Sequence, residues 1–413
     1  MDLFKKLNDF ILTITSRNEN FWEQRELNKT NDVRDGTHDT PKYIDSGYPL
    51  ITSKNLTSSG TINFDDISYI SEDDFNFINK RSNVDTNDIL FGMIGTIGNP
   101  VLVGNDTNFA IKNVALIKKS DSINQYFLIN ILNSNIFKKY IIKTNQGNTQ
   151  KFISLSQIRK FTFYAPQLYE QIEIGKILQK IDSVITLYDR KLKLLSQIKK
   201  YFLDNLFAKK EYPNLRFKGF TDAWEQRKLN EVATRVLRKN KNLISKRPLT
   251  ISAQYGLIDQ QAFFNKQVAS SNLENYLLLE KGEFAYNKSY SDGFPYGTIK
   301  KLNLYDNGAV STLYIAFKAN ADINSDFLEN LFSSNKWNNE VYKIAAEGAR
   351  NHGLLNISPD DFFNIKITIS KDSQEQVFIS KFLKVFDNLL ALYENKQNYL
   401  TEIKNTLLNT MFI

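Results

Sequence analysis

The fold is decided by a segment that the chain carries twice, EQIEIGKILQKIDSVITLYDRKLKLLSQIKKYFLDNLFA at residues 170–208 and EQVFISKFLKVFDNLLALYENKQNYLTEIKNTLLNTMFI at residues 375–413. The two copies are identical at 14 of 39 positions, without a gap and at a constant shift of 205 residues. A period of this length excludes the short solenoid repeats. The chain therefore contains two halves built on the same framework.

Apolar residues in each copy recur at alternating steps of three and four, which is typical of a helix with a coiled-coil seam. Neither copy contains proline, and neither contains glycine after Gly175. The pattern predicts two helices that would each span about 58 Å at 1.5 Å per residue. The predicted seam comprises Leu178, Ile181, Ile185, Tyr188, Leu192, Leu195, Phe202 and Leu206 in the first copy, and Leu383, Phe386, Leu390, Tyr393, Gln397, Leu400, Leu407 and Met411 in the second.

Lysines Lys199 and Lys404 occupy equivalent positions in the two seams. A polar seam residue can fix the register of a helix pair. Alternatively, a lysine near a fraying helix end can lay its stem across apolar neighbours and extend its ammonium into water. The sequence leaves both interpretations open.

The direction of helix pairing decides where the rest of each half lies. Antiparallel pairing would bury both seams and hold two domains at opposite ends of a rod, related by an approximate two-fold axis. Parallel pairing would place both domains at one end. We predict the antiparallel arrangement, and hence a tandem repeat with pseudo-two-fold symmetry.

A second repeat opens each half, since FWEQRELN at residues 21–28 returns as AWEQRKLN at residues 223–230, identical at six of eight positions. The stretches that follow, roughly 30–165 and 232–370, share little sequence but contain short apolar runs bounded by Gly, Asn, Asp and Pro, which predict strands. The predicted fold class is α+β, with two mixed α/β domains separated by the long helices. We place an N-terminal amphipathic helix at 1–20, the domains at 21–166 and 211–370, and the spacer helices at 167–210 and 371–413.

Composition restricts the class of protein. The chain has 413 residues, 42% of them hydrophobic and 24% charged, which is ordinary for a soluble globular protein of two or more domains. Polar residues interrupt the apolar ones in 1–16, so this segment does not resemble a signal peptide. The absence of cysteine excludes disulfides and thiolate metal sites and fits a cytoplasmic protein. The net charge of +8 favours a polyanionic partner without requiring one.

The chain resembles the specificity subunits of type I restriction-modification systems over nearly its whole length. The resemblance rests on the order of variable stretch and helix, on Trp-Glu-Gln-Arg-x-Leu at Trp22 and Trp224, on PNLRFKGF at residues 213–220, and on Glu-Gln-x-x-Ile at Glu170 and Glu375. It implies that each variable domain is a target recognition domain reading one half of a split double-stranded DNA target. The first half departs from the family pattern, because it lacks the Pro-x-Leu-Arg-Phe segment.

The same resemblance implies partners and cofactors. The two helices would form the spacer between the half-sites and hold two methyltransferase (modification) subunits, joined by restriction/translocase subunits. S-adenosylmethionine, ATP and Mg²⁺ would be bound by those partners, and no cofactor or membrane contact is expected for this chain. Half-sites one turn of B-DNA apart, about 34–36 Å, are compatible with a helical pair of this length.

Short polar side chains near glycine or after a strand are the candidates for DNA contact in the first half, because they can approach base edges and phosphates. An ordinary solvated loop is the competing interpretation for each segment. A glycine-rich phosphate loop at Gly92, Gly95 and Gly98 is less favoured than a hairpin turn, since no Lys-Ser or Lys-Thr follows. The predicted contacts are Arg34, Thr37, His38, Lys54, Asn55, Gln146, Asn148, Thr149, Gln150 and Lys151.

The second half offers comparable segments, again with a solvated loop or, for the aromatic residues, core packing as the alternative. The resemblance adds weight to the loop at 146–151 and its counterpart at 347–353. A basic run at 235–241 is interpreted as a solvated face or as phosphate contacts. The predicted contacts are Gln254, Lys288, Ser289, Ser291, Arg350, Asn351 and His352.

Catalytic motifs for DNA chemistry are absent from the sequence. There is no Asn-Pro-Pro-Tyr or Asp-Pro-Pro-Tyr, no Gly-x-x-x-x-Gly-Lys and no Gly-x-Ser-x-Gly. The two histidines lie in opposite halves, so we expect no zinc site. A nuclease-like set of Asp387, Glu402 and Lys404 falls within a predicted spacer helix. We therefore predict a noncatalytic DNA-specificity subunit; the alternatives are an autonomous DNA-cutting or DNA-modifying enzyme and a protein-only coiled-coil scaffold.

Overall fold

The computed structural model describes residues 22–144, 152–252, 255–264, 272–289, 293–346 and 355–412. The helix predicted at 1–20 lies outside these residues. The chain divides into two units, unit 1 with residues 1–189 and 395–413, and unit 2 with residues 190–394. Both division points fall inside the repeated segments, so each unit contains one part of each repeat.

Unit 1 has a mixed α/β fold. Its strands are β1 (Glu23–Glu26), β2 (Val33–Asp35), β3 (Tyr48–Thr52), β4 (Ser68–Ile70), β5 (Ile89–Gly92), β6 (Gly98–Leu102), β7 (Ala110–Lys112), β8 (Val114–Ile117) and β9 (Thr162–Ala165). Its helices are α1 (Leu27–Thr30), α2 (Glu72–Ser82), α3 (Gln125–Asn133), α4 (Asn135–Thr144), α5 (Leu155–Arg159) and the first part of α6 (Leu168–Leu206).

Unit 2 repeats this plan. Its strands are β10 (Glu225–Lys228), β11 (Ala233–Arg235), β12 (Leu249–Ser252), β13 (Gly256–Asp259), β14 (Leu277–Glu280), β15 (Phe284–Asn287), β16 (Thr298–Lys301), β17 (Asn307–Val310), β18 (Ile315–Ala319) and β19 (Lys366–Ile369). Its helices are α7 (Leu229–Val232), α8 (Gln260–Phe264), α9 (Ser325–Ser333), α10 (Asn338–Ala346), α11 (Pro359–Phe363) and the first part of α12 (Ser373–Met411). Both stretches in which short apolar runs predicted strands, roughly 30–165 and 232–370, contain strands.

The central sheet has the same strand order in both units, β2-β8-β5-β6 in unit 1 and β11-β18-β15-β16 in unit 2. In each unit the residues that follow the repeated tryptophan form a short strand, β1 or β10. This strand pairs antiparallel with the last strand of its unit, β1 with β9 and β10 with β19. A parallel pairing of β3 with β7 completes a three-stranded sheet in unit 1. The two halves of the chain therefore share topology as well as framework sequence.

The central strands are buried on both faces, which explains why they read as continuous apolar runs rather than alternating ones. In β5, Ile89 and Phe91 join one hydrophobic core while Leu90 joins another. In β15, Phe284 and Tyr286 face one core and Ala285 faces the other. The core that contains the long-helix residues lies on one side of each sheet.

The start of each long helix is tied to a shorter helix by a glutamine. The Gln171 Oε1 atom accepts a hydrogen bond from the backbone N–H of Asn124, the residue that caps α3, at 2.9 Å. The Gln376 Oε1 atom accepts the equivalent bond from Asn324, the cap of α9, at 2.8 Å. Both glutamines are buried. The Glu-Gln-x-x-Ile motif is therefore a docking element within the fold.

An aromatic triad occurs once in each unit and contains the repeated tryptophan. In unit 1, Trp22 packs on Phe127 and Phe412 with ring centroids 5.9 and 6.3 Å apart. In unit 2, Trp224 packs on Phe327 and Phe207 at 5.6 and 6.2 Å. Phe207 and Phe412 are equivalent positions of the repeat. Each unit thus receives its third ring from the end of the repeat copy that belongs, in sequence order, to the other half.

Within unit 2, segments of α6 and α12 pack against each other. The Lys199 Nζ atom donates to Asp387, the ring of Phe202 lies 4.8 Å from Phe382, and Lys191 lies over the ring of Tyr393. The contact position on α12 falls as the position on α6 rises, which is the pattern of antiparallel segments.

Within unit 1, the Lys404 Nζ atom donates to Asp182 at 2.6 Å. This pair is the repeat equivalent of Lys199 with Asp387, because both members are shifted by 205 residues and exchange helices. The seam lysines are thus paired with carboxylates in both units.

Among the ranges that the structure describes, no helix is long and apolar enough to cross a membrane.

Candidate nucleic-acid interface

Two of the predicted contact segments of the first half, and the glycine-rich turn, meet at Asn113, which connects β7 to β8. Its backbone N–H donates to the Thr37 carbonyl at 3.1 Å. Its own carbonyl accepts from the Ser53 hydroxyl at 3.0 Å and from the Met93 N–H at 3.3 Å. Asn113 has a φ of 56°, a left-handed conformation that asparagine tolerates better than most residues. The turn therefore gathers segments that are distant in sequence.

Phe152 and Ile153, where the described chain resumes after residue 151, lie beside the same group. The backbone N–H of Ile153 donates to the Met93 carbonyl at 2.9 Å, and Phe152 forms a bridge with Ile94. The side chains of Ile94 and Phe152 are exposed by 44% and 41%, so this edge presents apolar surface. The predicted contacts Gln146, Asn148, Thr149, Gln150 and Lys151 themselves lie outside the described residues.

His38 has both ring nitrogens hydrogen bonded. Its Nδ1 atom lies 2.8 Å from Oδ1 of Asn113, and its Nε2 atom lies 2.9 Å from Oδ2 of Asp35. These two bonds, first to Asn113 and then to Asp35, raise the pKa of the His38 imidazole above its ordinary value of 6.5. Asp35 is buried and also accepts from Arg81.

Arg34, Thr37 and Lys54 lie at the surface or close to it. The Arg34 guanidinium pairs with Asp32 at 2.6 Å, and the Thr37 hydroxyl accepts from the Asp39 N–H at 3.2 Å. Lys54 lies 3.6 Å from Asp66, and its side chain is 64% exposed. Exposed ion pairs of this kind are weak, so both cations can exchange their partner for a phosphate at little cost.

Asn55 differs from the other predicted contacts because only 3% of its surface is exposed. Its Oδ1 atom accepts from the N–H and the hydroxyl of Thr52, and its Nδ2 atom donates to the carbonyls of Asn63 and Asp66. A fully bonded, buried amide holds the loop together and has no group left for a base. In this conformation the residue supports the surface rather than forming it.

The glycine-rich segment is a hairpin, as the sequence analysis favoured. Strands β5 and β6 are antiparallel, with Gly92 opposite Gly98 and a register shift after Leu90. Gly95 and Gly98 have φ values of 74° and 109°. A Cβ atom at Gly92 would lie 2.4 Å from the Thr96 carbonyl oxygen. Glycine is thus required to close this turn beside Met93 and Ile94.

Unit 2 places two of its predicted contacts in the corresponding position. Lys288 and Ser289 follow β15, as Met93 and Ile94 follow β5. The N–H of Leu355, where the described chain resumes after residue 354, donates to the Lys288 carbonyl at 3.0 Å. The Lys288 ammonium donates to the Ile357 carbonyl at 3.0 Å, and burial lowers the pKa of this lysine. The predicted contacts Gln254, Ser291, Arg350, Asn351 and His352 lie outside the described residues.

The basic run at 235–241 is engaged within unit 2. Arg238 donates to Glu283 at 2.8 Å, and Lys239 donates to the Asn275 carbonyl at 2.9 Å. Arg235 lies 4.0 Å from Asp360. These contacts describe a charged face in which each of the three side chains has an acidic or carbonyl partner.

The predicted seam positions of the long helices are buried or half-buried in every case named. This set comprises Leu178, Ile181, Ile185, Tyr188, Leu195, Leu383, Phe386, Leu390, Tyr393 and Leu400. Two members of the nuclease-like set, Asp387 and Lys404, are engaged in separate ion pairs. Asp387 accepts from Lys199, and Lys404 donates to Asp182. Among the described residues, no group of three or more His, Cys, Asp or Glu side chains could hold a metal ion.

Sequence reasoning missed the residues that organise the surface, namely Asn113, Ser53 and Arg81. It interpreted Thr52–Asn55 through Lys54 and Asn55, although Ser53 makes the bonds that reach Asn113 and Met93. An asparagine between two apolar strands, as in Lys112-Asn113-Val114, is a signal for a left-handed turn. Nothing in the sequence indicated which distant segments would meet there.

These features define a class: a protein with two topologically equivalent α/β units, each carrying a loop surface, and two long helices shared between them. Residues 22–197 match the family model described as type I restriction modification DNA specificity domain. Over these residues the chain is similar to the DNA specificity domains of type I restriction-modification systems.

Individual proteins of this family are also similar to the chain. The chain is 28% identical over 208 residues to the type I restriction enzyme MjaX specificity subunit of Methanocaldococcus jannaschii, with 48% of each chain covered. The match thus spans about half the length of this curated relative. A crystal structure of the type I restriction-modification system S subunit from M. genitalium is similar in fold, with a TM-score of 0.61, 18% identity, and 96% and 97% of the two chains covered.

A second solved structure, described as addressing complex assembly and conformational transition of the type I R-M system, has a TM-score of 0.53. It is 13% identical, and 95% and 97% of the two chains are covered. At these identities the structural matches concern the fold alone.

Proposed function

We propose that the chain is a noncatalytic DNA-specificity subunit that reads a bipartite double-stranded target, one half-site with each unit. The observation that carries the proposal is the repetition of one sheet order in two units whose loop surfaces differ in sequence. A shared scaffold with unlike loops is suited to two different readings in related orientations. The family model names DNA specificity, and the net charge of +8 is favourable for binding a polyanion.

The helices α6 and α12 would form the spacer between the two readers. Each has 39 residues, about 58 Å of helix. The equivalent ion pairs of Lys199 with Asp387 and of Asp182 with Lys404 would fix the register of an antiparallel coiled coil. Spacing between half-sites would then be a property of the helices and not of the reading loops.

The same helices would hold the methyltransferase subunits, and unit 2 carries the surface that supports this. On α6, Leu194 and Tyr201 are one heptad apart and exposed by 56% and 55%. On α12, Phe378, Val385 and Leu392 are successive heptad positions exposed by 53%, 54% and 45%. Apolar residues repeated at seven-residue spacing outside the seam are typical of a second helix-packing surface.

The exposed apolar residues of α6 and those of α12 occupy the same heptad position, c, when the seam residues are a and d. In an antiparallel pair, the g positions of the two helices face each other along one side of the seam, and the c positions flank them on that side. Here the g positions of the unit 2 segments include Ile198, Phe382 and Leu389. The c and g positions together, which we call the c/g face, thus form one apolar side. That side suits helices of another polypeptide.

DNA recognition is tested with the full chain in complex with its methyltransferase subunits and duplexes selected from a randomised library. We expect a split consensus, with affinity that falls steeply as salt rises because phosphate contacts release counterions. Selection of no sequence at any salt concentration would contradict the proposal in favour of a scaffold. Turnover of DNA by the purified chain with Mg²⁺ or S-adenosylmethionine would contradict it in favour of an enzyme.

Partner docking is tested with Leu194→Glu combined with Val385→Glu. Both side chains are exposed, so the fold should persist while methyltransferase binding weakens by at least about tenfold, as expected for loss of two apolar anchors. The matched control is Lys200→Glu combined with Lys384→Glu, which adds the same residues to exposed b positions. Equal affinities of the two double variants, measured by calorimetry, would exclude the c/g face.

S-adenosylmethionine, ATP and Mg²⁺ would be bound by the methyltransferase and restriction subunits, where the methylation, cleavage and translocation steps would take place. The side chains of this chain would determine the DNA sequence at which those steps occur. This division predicts that S-adenosylmethionine binds the assembled complex and not the isolated chain.

A further inference from the structure

Asn113 and Asp35 each present an oxygen atom to the ring of His38, and these oxygen atoms can only accept a hydrogen bond. Oδ1 of Asn113 and Oδ2 of Asp35 are oxygens, and each lies within 2.9 Å of a ring nitrogen. A neutral imidazole carries one N–H, whereas an imidazolium carries two. Satisfying both oxygens at once therefore requires the doubly protonated ring.

The charges around the ring come from three elements. Asp35 on β2 is 5% exposed and faces the ring, and Arg81 on α2 donates to the other oxygen of that carboxylate. Asp39 follows in the same turn, and Lys112 on β7 donates to the neighbouring Thr40. The carboxylate of Asp35 thus lies between two cations when the ring is protonated, and retains only Arg81 when it is not.

Asn113 transmits the state of the ring to the rest of the surface. Its side chain binds His38, while its backbone binds Thr37, Ser53 and Met93. The Ser53 hydroxyl also accepts from the Met93 N–H at 3.2 Å. The Met93 carbonyl in turn accepts from the N–H of Ile153. The bond from His38 is therefore the first in a series that connects Asn113 with Thr37, Ser53, Met93 and Ile153.

We propose that His38, as an imidazolium, is a positioning residue: it holds Asn113 in its left-handed turn and so assembles the DNA-reading surface of unit 1. This rests on the proposed function of that surface. The sign of the pH dependence follows directly. A histidine that gains partners in the folded arrangement contributes fully below its unperturbed pKa, and the contribution is lost as pH rises through the raised value. Binding through unit 1 thus weakens as pH rises above about 6.5.

The protonation state is measured by NMR titration of the full chain labelled at histidine. Only His38 and His352 are present, so the variant His38→Gln identifies the signal. We expect the pKa of His38 to lie above 6.5 and to rise by about one unit or more in Asn113→Asp, which places a second carboxylate beside the ring and tolerates a positive φ. A pKa at or below 6.5, or no rise in Asn113→Asp, would overturn the proposal.

The consequence for DNA is measured with the full chain and its methyltransferase subunits, on the duplex selected at pH 6.5. We expect the affinity for DNA to fall as pH rises from 6 to 8.5. The fall should be about tenfold for each unit by which the pKa of His38 in the DNA-bound protein exceeds its pKa when the surface is not assembled. Asn113→Asp should move the midpoint of this fall to higher pH, which a merely structural role would not do. Retention of the full pH dependence in His38→Gln would overturn the assignment.

A duplex altered only in the half-site read by unit 1 separates the two proposals. It should remove the pH-dependent part of binding and leave the contribution of unit 2. Absence of sequence-specific binding at every pH would reject the proposed function, while the NMR result would still decide the state of His38.

Discussion

At the scale of single residues, the repeated motifs act within the framework. The Glu375 carboxylate is fully buried, accepts from the Trp224 indole at 2.9 Å and from the Arg216 guanidinium at 2.7 Å, and binds the Ser370 hydroxyl. Three separate motifs of the sequence therefore meet at one carboxylate. A buried charge with a complete set of partners is costly to leave half-paired.

We predict that Glu375→Gln destabilises unit 2 by about 3 kcal/mol, because Arg216 loses its anionic partner in a buried setting. Urea unfolding followed by tryptophan fluorescence measures the change, since Trp224 is part of the same group. Glu394→Gln, at an exposed position of the same helix, should change stability by less than about 0.5 kcal/mol. Equal effects of the two variants would exclude a special role for the buried carboxylate.

At the scale of elements, the two units dock the long helix in slightly different ways. In unit 1, a Cβ atom at Gly175 would lie 2.6 Å from Oδ1 of Asn124 and 3.1 Å from Cβ of Tyr126. In unit 2, the equivalent Ser380 donates its hydroxyl to Oδ1 of Asn324 at 3.1 Å. Glycine thus permits a close approach of α6 to α3 in unit 1. In unit 2 the corresponding contact, between α12 and the cap of α9, is a hydrogen bond from Ser380.

We predict that Gly175→Leu costs about 1–3 kcal/mol of stability by forcing α6 away from α3. The loss should occur although replacing a helical glycine normally gains up to about 1 kcal/mol. Thermal unfolding measures the effect, and Thr186→Leu, at an exposed position of the same helix, is the control. A stabilised Gly175→Leu variant would show that the helix start is not tightly packed.

At the scale of the whole molecule, the proposed function assigns distance to the helices and sequence to the loops. The two assignments are separable, because the helices and loops contain different residues. Lengthening a helix by seven residues adds about 10.5 Å and preserves the heptad phase of the seam. An insertion of this kind changes spacing without changing either reading surface.

We predict that inserting one heptad at equivalent positions of both helices lengthens the preferred gap between half-sites by about 3 base pairs, at about 3.4 Å each. The half-site sequences should stay the same. Selection from a duplex library with variable gaps measures both properties at once. An insertion in one helix alone is the control, since it misaligns the lysine–aspartate pairs; an unchanged gap after the double insertion would refute the spacer role.

The sequence by itself determined the framework, because periodicity is local information. Apolar residues at steps of three and four predicted the two long helices, and short apolar runs bounded by turn residues predicted strands in the two variable stretches. The constant shift of 205 residues showed that Lys199 and Lys404 occupy equivalent positions of the two helices. The β5–β6 hairpin was also recognisable, since its glycines lacked the residues that follow in a phosphate loop.

Only the tertiary structure decided which side chains form the surface. Asn55 and His38 look alike in sequence, as polar residues in short loops, yet one is buried with every bond satisfied and the other is exposed and bonded to Asn113 and Asp35. Asp35 is local, but Asn113 lies between β7 and β8, 75 residues away from His38. Hydrogen-bond satisfaction depends on which strands become neighbours, and no local pattern records that.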